Sequence, residues 1–192
     1  MDTVKVISDV IGSLVEGELE QLDRSYDITV TEAEYWERIR RKTASFIGEC
    51  CRLGALYSPG NPLDPEALHA YGLNLGLAYQ VKDDLLDFTG ATQTVGKPTR
   101  HDLRDGVITL PVIHTLTVHP RREELGALIK SRGDYDIGLV LACMQEAGSL
   151  AFAEKRAAEL ITIAKNSLMG APEHEAKAAL LSIADFVLNR VS

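Results

Sequence analysis

Apolar residues recur every three to four positions along nearly all of the 192 residues, and no segment alternates well enough to read as a strand. This spacing predicts helices at roughly 3–22, 32–56, 65–88, 107–118, 122–131, 135–147, 150–168 and 173–190. Breakers fall between them: SPGNPLDP at 58–65, TGATQTVGKP at 89–98, SRGD at 131–134 and GAP at 170–172. Thr31 with Glu34 forms a capping box for the second helix. Asp64 before Pro65 supplies an N-cap and a first-turn proline for the third. No internal repeat, low-complexity tract or long linker divides the chain. The expectation is one all-α domain spanning residues 1–192, or part of a larger one.

Hydrophobic residues at 45% and charged residues at 25% suffice for a buried core without a disulfide or metal staple. The formal charge of −8 argues against nucleic acid or an anionic membrane as the main partner. It would also repel a phosphorylated substrate unless cations reverse the sign locally. Cys50, Cys51 and Cys143 show no metal-type spacing, and an odd count with two adjacent fits reduced thiols in a cytoplasmic setting. No signal peptide is visible at Met1, and VITLPVI and IGLVLACM are too short to be transmembrane segments.

The predicted helix at 65–88 ends in KDDLLDF, with Asp83, Asp84 and Asp87 inside five positions. At a helical step of about 100°, Asp87 falls about 40°, Gln80 about 60° and Asp84 about 100° from Asp83. Gly76 and Gly72 lie within about 20° of Asp83, one and two turns earlier. Ala78, Val81 and Leu85 form the opposite, packing face. On spacing alone, a glycine-floored track leads to a polar cluster. Carboxylates three and four apart repel one another, and a helix C-terminus favours cations by roughly 0.3–1 kcal/mol per charge. A solvated acidic face and a cation site both remain open. If it is a site, all-oxygen donors with room for waters suit Mg2+ bridging to a phosphate.

Basic residues stand elsewhere. Lys42 interrupts the stripe Tyr35, Ile39, Phe46, Cys50 and Leu53. It either snorkels to water or needs an anion beside its amine. Gly17 and Gln21 continue the stripe of Val6, Val10 and Leu14, which reads equally well as a gap on an inward face or as close helix packing. Lys97, after Gly96 in a polar loop, is an ordinary loop lysine or one placed over the mouth of a metal–phosphate site. Asp102 and Asp105 cap the next helix or orient these cations.

Three stretches together resemble the C-terminal half of a trans-isoprenyl diphosphate synthase of the polyprenyl synthetase family. They are LVEGELEQL (14–22), EYWERIRRKTASF (34–46), and YGLNLGLAYQVKDDLLDFTG followed by VGKPTRHDLRDGVITLPVI (71–113). Beyond residue 120 the likeness is one of style more than of motif. The resemblance implies a helical bundle of the isoprenoid synthase type and prenyl transfer from an allylic diphosphate to isopentenyl diphosphate. It implies that Asp83 binds Mg2+ directly, with Asp84 and Asp87 assisting partly through water. By the same resemblance Lys42 and Lys97 hold the allylic diphosphate, while Thr43 and Gln80 face the developing cation. Two departures reduce the match: Val107 stands where the family usually has lysine, and Arg100 where a small residue is usual.

The family carries another, earlier aspartate-rich motif and a basic isopentenyl diphosphate segment, and residues 1–82 contain neither. The expectation is therefore a split, hetero-oligomeric prenyltransferase, inactive until a second protein subunit supplies the first motif and that substrate site. The alternatives are a non-catalytic accessory subunit of a complete synthase, and a terpene cyclase fragment. The intact Lys42, Thr43, Gln80, Asp83, Asp84, Asp87 and Lys97 favour the split enzyme.

Overall fold

A computed structural model describes residues 3–59, 63–89, 101–132 and 137–190; the side chain of residue 101 is outside this description. Among the described residues there are helices and no strands. In chain order these are α1 (Thr3–Asp23), α2 (Glu32–Ile39), a π turn (Arg40–Ala44), α3 (Ser45–Tyr57), α4 (Pro65–Thr89) and α5 (His101–Arg104). They continue with α6 (Leu110–Val118), α7 (Arg122–Lys130), α8 (Ile137–Glu146), α9 (Ser149–Ser167) and α10 (Glu175–Asn189).

The central member is α4, with α3 packed along one side, α9 along another, and α10 also against it. Its apolar residues serve two clusters. Val81, Leu85 and Phe88 join Tyr35, Leu103, Leu110, Ile129 and Met144. Leu68, Tyr71, Leu75 and Ala78 join Ile161, Ala164, Leu168 and Val187. Residues Ala78, Val81 and Leu85 are buried as their spacing predicts. No single described helix is long and apolar enough to cross a membrane.

The predicted helix 32–56 is not one α-helix. Its start is the expected capping box, in which the Thr31 side chain accepts from Glu34 N and the Glu34 carboxylate accepts from Thr31 N. After Ile39 the chain makes the π turn, so that Ser45 N donates to Arg40 O. Tyr35 and Ile39 are buried, and the next buried residues are Ala44, Gly48 and Ala55. Ile39 and Ala44 are five apart, the step of a π turn. One extra residue rotates everything after it by about 100°. Phe46 is consequently 47% exposed and Cys50 is exposed, although an unbroken α-helix would have buried both.

Another predicted helix, 107–118, begins only at Leu110, because the chain first turns through Gly106 at φ +81°. Tyr26 N donates to Gly106 O at 2.7 Å, and the Tyr26 hydroxyl donates to Arg104 O at 2.6 Å. These bonds tie the α1–α2 connection to the α5–α6 connection. A Cβ on residue 106 would stand 2.5 Å from the Tyr26 ring. Gly106→Val therefore combines a left-handed backbone with a ring clash and should destabilise by about 2–3 kcal/mol. Urea unfolding should show this as a lower midpoint at unchanged slope; an unshifted midpoint would refute the tie.

Candidate functional site

Side chains at the crossing of the π turn with α4 carry the polar chemistry. The two backbones approach very closely there. A Cβ at Gly76 would sit 2.7 Å from Ala44 Cα, and one at Gly72 would sit 2.7 Å from Ile47 O and 2.9 Å from Gly48 Cα. The glycine stripe is thus a helix crossing against α3 and the π turn, which corrects its expected role as the floor of an open track. Gly17 behaves likewise, since a Cβ there would be 2.9 Å from Lys42 N. Close packing is the use the chain makes of it.

This approach lines up a row of hydrogen bonds. Thr43 Oγ1 donates to Gln80 Oε1 at 3.0 Å, and Gln80 Nε2 donates to Asp84 Oδ1 at 3.1 Å. From α2, the Tyr35 hydroxyl donates to Asp84 Oδ2 at 2.7 Å. Asp84 is buried, and burial pushes its carboxyl up to about 7, against the opposing pull of the Tyr35 and Gln80 hydrogen bonds. Tyr35 is raised well above the usual phenol value, first by burial and then by the Asp84 charge beside it. The Arg38 guanidinium is buried nearby, 5.6 Å from the Tyr35 ring centroid, and donates to Ile108 O at 2.7 Å. Burial lowers its pKa, while the charge of Asp84 works in the opposite direction.

The predicted aspartates separate. Asp84 turns inward to Tyr35, whereas Asp83 is 39% exposed and forms an ion pair with Arg190, just after α10. Asp87 is part-buried, one turn after Asp83 on α4. Among the described residues, no group of three or more His, Cys, Asp or Glu side chains is gathered closely enough to hold a metal ion. The donor set itself fits one: Asp83 and Asp87 share a stripe, and hard carboxylate oxygens suit Mg2+. Asp83 already attracts a cation, since a guanidinium stands on it.

Lys42 lies within the π turn, its side chain 27% exposed. Its amine meets Glu18 Oε2 at 2.9 Å and donates to Gln21 Oε1 at 3.1 Å, both from α1. The anion beside this lysine is therefore Glu18. Lys97 lies outside the described residues, as do Gly96 and Arg100. Val107 is part-buried and donates its N–H to Asp102 O at 2.7 Å. Thr109 takes the N-cap position of α6, so neither Asp102 nor Asp105 caps that helix. A groove of 460 Å³ between α2, α4 and α9, lined by Trp36, Leu77, Arg156 and Leu160, contains none of the predicted residues.

Sequence reasoning placed Tyr35 only in an apolar stripe, and missed Arg38 and Arg190. A buried tyrosine hydroxyl needs a partner, and that requirement was the available signal for Tyr35. Arg38 stands in a basic run whose members look alike until the fold buries one.

The family model described as polyprenyl synthetase matches residues 1–147. A short chain isoprenyl diphosphate synthase of Methanothermobacter thermautotrophicus is 32% identical over 191 residues, covering 98% of this chain and 59% of that protein. An octaprenyl diphosphate synthase of Haemophilus influenzae is 34% identical over 197 residues, covering 99% of this chain and 60% of its own length. Among solved structures, a polyprenyl synthase of Caulobacter crescentus complexed with calcium and isoprenyl diphosphate has a TM-score of 0.87 at 33% identity. It covers 100% of this chain and 60% of that one. The chain thus spans about half to three fifths of the length of the relatives it matches. On the matched residues and the shared all-α isoprenoid synthase fold, this chain belongs to the polyprenyl synthetase family of trans-isoprenyl diphosphate synthases.

Proposed function

We propose that this chain is one subunit of a split trans-prenyltransferase, supplying the second aspartate-rich motif and the lysine–threonine segment. The observation that carries the reading is the row Thr43–Gln80–Asp84–Tyr35, which crosses from the π turn to α4 beside Asp83. In the proposed reaction the C–O bond of an allylic diphosphate breaks. The resulting carbocation forms a C–C bond with the double bond of isopentenyl diphosphate, and a proton leaves to the departing pyrophosphate.

Asp83 and Asp87 would hold Mg2+, with Asp84 assisting. When bound, that ion neutralises charge on the leaving diphosphate. Lys42, which meets Glu18 and Gln21, is proposed to exchange them for phosphate oxygens of the diphosphate. Lys97 is proposed to join it. The Thr43 and Gln80 oxygens present fixed dipoles that favour developing positive charge. Tyr35 orients Asp84 by its hydrogen bond.

The second protein is part of the proposal and is supported by α1. Val4, Ile7, Ile11, Val15, Leu19 and Leu22 of this helix are exposed, and Gly17 is its one buried residue among those described. Phe46 and Leu53 continue the uncovered apolar surface beside it. A soluble chain rarely leaves such a stripe to water. The partner proposed to cover it carries the first aspartate-rich motif and the isopentenyl diphosphate site. A cytoplasmic setting, in which Cys50, Cys51 and Cys143 stay free thiols, completes the reading.

The test measures incorporation of labelled isopentenyl diphosphate with an allylic diphosphate and Mg2+, using the chain alone and with a co-purifying protein that has the first motif. Negligible turnover alone and robust turnover together are expected. Robust turnover by the chain alone would overturn the split-enzyme reading.

A further inference from the structure

Arg190 follows the last turn of α10 and places its guanidinium carbon 4.4 Å from the centroid of the Tyr79 ring on α4. Its Nη2 pairs with Asp83 Oδ1, one helical turn beyond Tyr79. The arginine side chain is only 11% exposed, and its Nε is buried without a hydrogen-bond partner among the described residues. Among the described residues, this closely packed arginine, with one donor unmet, is held by the face of an aromatic ring and the charge of one carboxylate. That carboxylate is the aspartate exposed enough for an incoming ion to reach, because Asp84 is turned inward to Tyr35.

We infer that Arg190 is the resident counter-cation of Asp83, displaced when a divalent cation takes that carboxylate. This rests on Asp83 being a metal ligand. A lone pair of carboxylates in the last turn of a helix repel each other and meet the negative end of its dipole. Arg190 relieves that repulsion by placing positive charge there, with Tyr79 as its platform. A metal ion and the guanidinium cannot both occupy Asp83 Oδ1, so they compete. Occupancy of the carboxylate by arginine for about 70–90% of the time weakens the apparent affinity for a competing cation by about threefold to tenfold.

The test titrates Mn2+ into the full chain, with its partner where one co-purifies, and follows free Mn2+ by electron paramagnetic resonance. Arg190→Gln should bind Mn2+ about threefold to tenfold more tightly than wild type. Arg190→Lys, which keeps the charge, should bind nearer to wild type. Asp83→Asn should weaken binding in both backgrounds and abolish the gain from Arg190→Gln. Equal affinities for wild type and Arg190→Gln, with Asp83→Asn weakening both, would overturn the exchange while leaving the metal ligand in place. Equal tightening by Arg190→Lys and Arg190→Gln would also overturn it, since charge would then not be the cause. No effect of Asp83→Asn in either background would remove both the exchange and the metal reading.

Discussion

Asp83→Ala in the reconstituted complex should lower prenyl transfer by about a thousandfold at saturating substrate. Losing one direct metal contact removes several kcal/mol of charge stabilisation from the transition state, and about 4 kcal/mol corresponds to that factor. Folding should change modestly. Asp83 is 39% exposed, but Arg190 is 11% exposed and keeps only the Tyr79 ring of its described partners, so losing the pair should cost about 1–2 kcal/mol. The pairing of a near-complete rate loss with a thermal midpoint only a few degrees below wild type separates a metal ligand from a structural residue. Wild-type rates in this variant would mean that the chain does no chemistry and modulates a complete synthase instead.

The second large effect is on the crossing itself. Gly76→Val should destabilise the chain by about 3 kcal/mol, because the new side chain meets backbone with nowhere to yield. A Cβ at residue 76 stands 2.7 Å from Ala44 Cα, so the π turn and α4 must separate. Their separation breaks the Thr43–Gln80 hydrogen bond and takes the row to Asp84 with it. For a chain of this size the melting midpoint should fall by about 6–12 °C. The control is Gly12→Ala or Gly54→Ala, where an added Cβ meets nothing within 4 Å. There the gain in helix propensity should make the change neutral or mildly stabilising, by up to about 1 kcal/mol. Equal midpoints for Gly76→Val and these controls would refute the close crossing.

How much of this was visible beforehand differs from residue to residue. Thr31 with Glu34 was readable because a capping box acts within four residues and needs no distant partner. Asp64 is similar, its carboxylate accepting from Glu66 N at 3.2 Å at the start of α4. The break between Ile39 and Ala44 was not readable. A stripe that follows α spacing and one containing a single five-residue step place similar residues on the inside, and only packing distinguishes them. Phe46 shows the cost of the wrong choice, being 47% exposed where an unbroken helix predicts burial. Gly72 and Gly76 were marked as unusual, but a gap in side chains is equally a cavity floor and a contact surface. The approach of Ala44 and Gly48 makes it a contact surface.

The candidate site divides along the same line. Angular spacing on α4 put Gln80, Asp83, Asp84 and Asp87 on one side, and the motif set their family. It could not tell which aspartate is dry. That depends on Tyr35, which lies 49 residues away in sequence and donates to Asp84 at 2.7 Å. Nor could it show that Lys42 meets Glu18, or that Arg190 lies over Tyr79 against Asp83.

The sequence by itself determined the helical pattern, the caps at Thr31 and Asp64 and the identity of the aspartate-rich helix, because these follow from periodicity and from bonds within one or two turns. Tertiary structure alone decided the π turn, the inward and outward aspartates and the cation on Asp83. Each of these is a choice between nearly equal local states, settled by how closely another helix approaches.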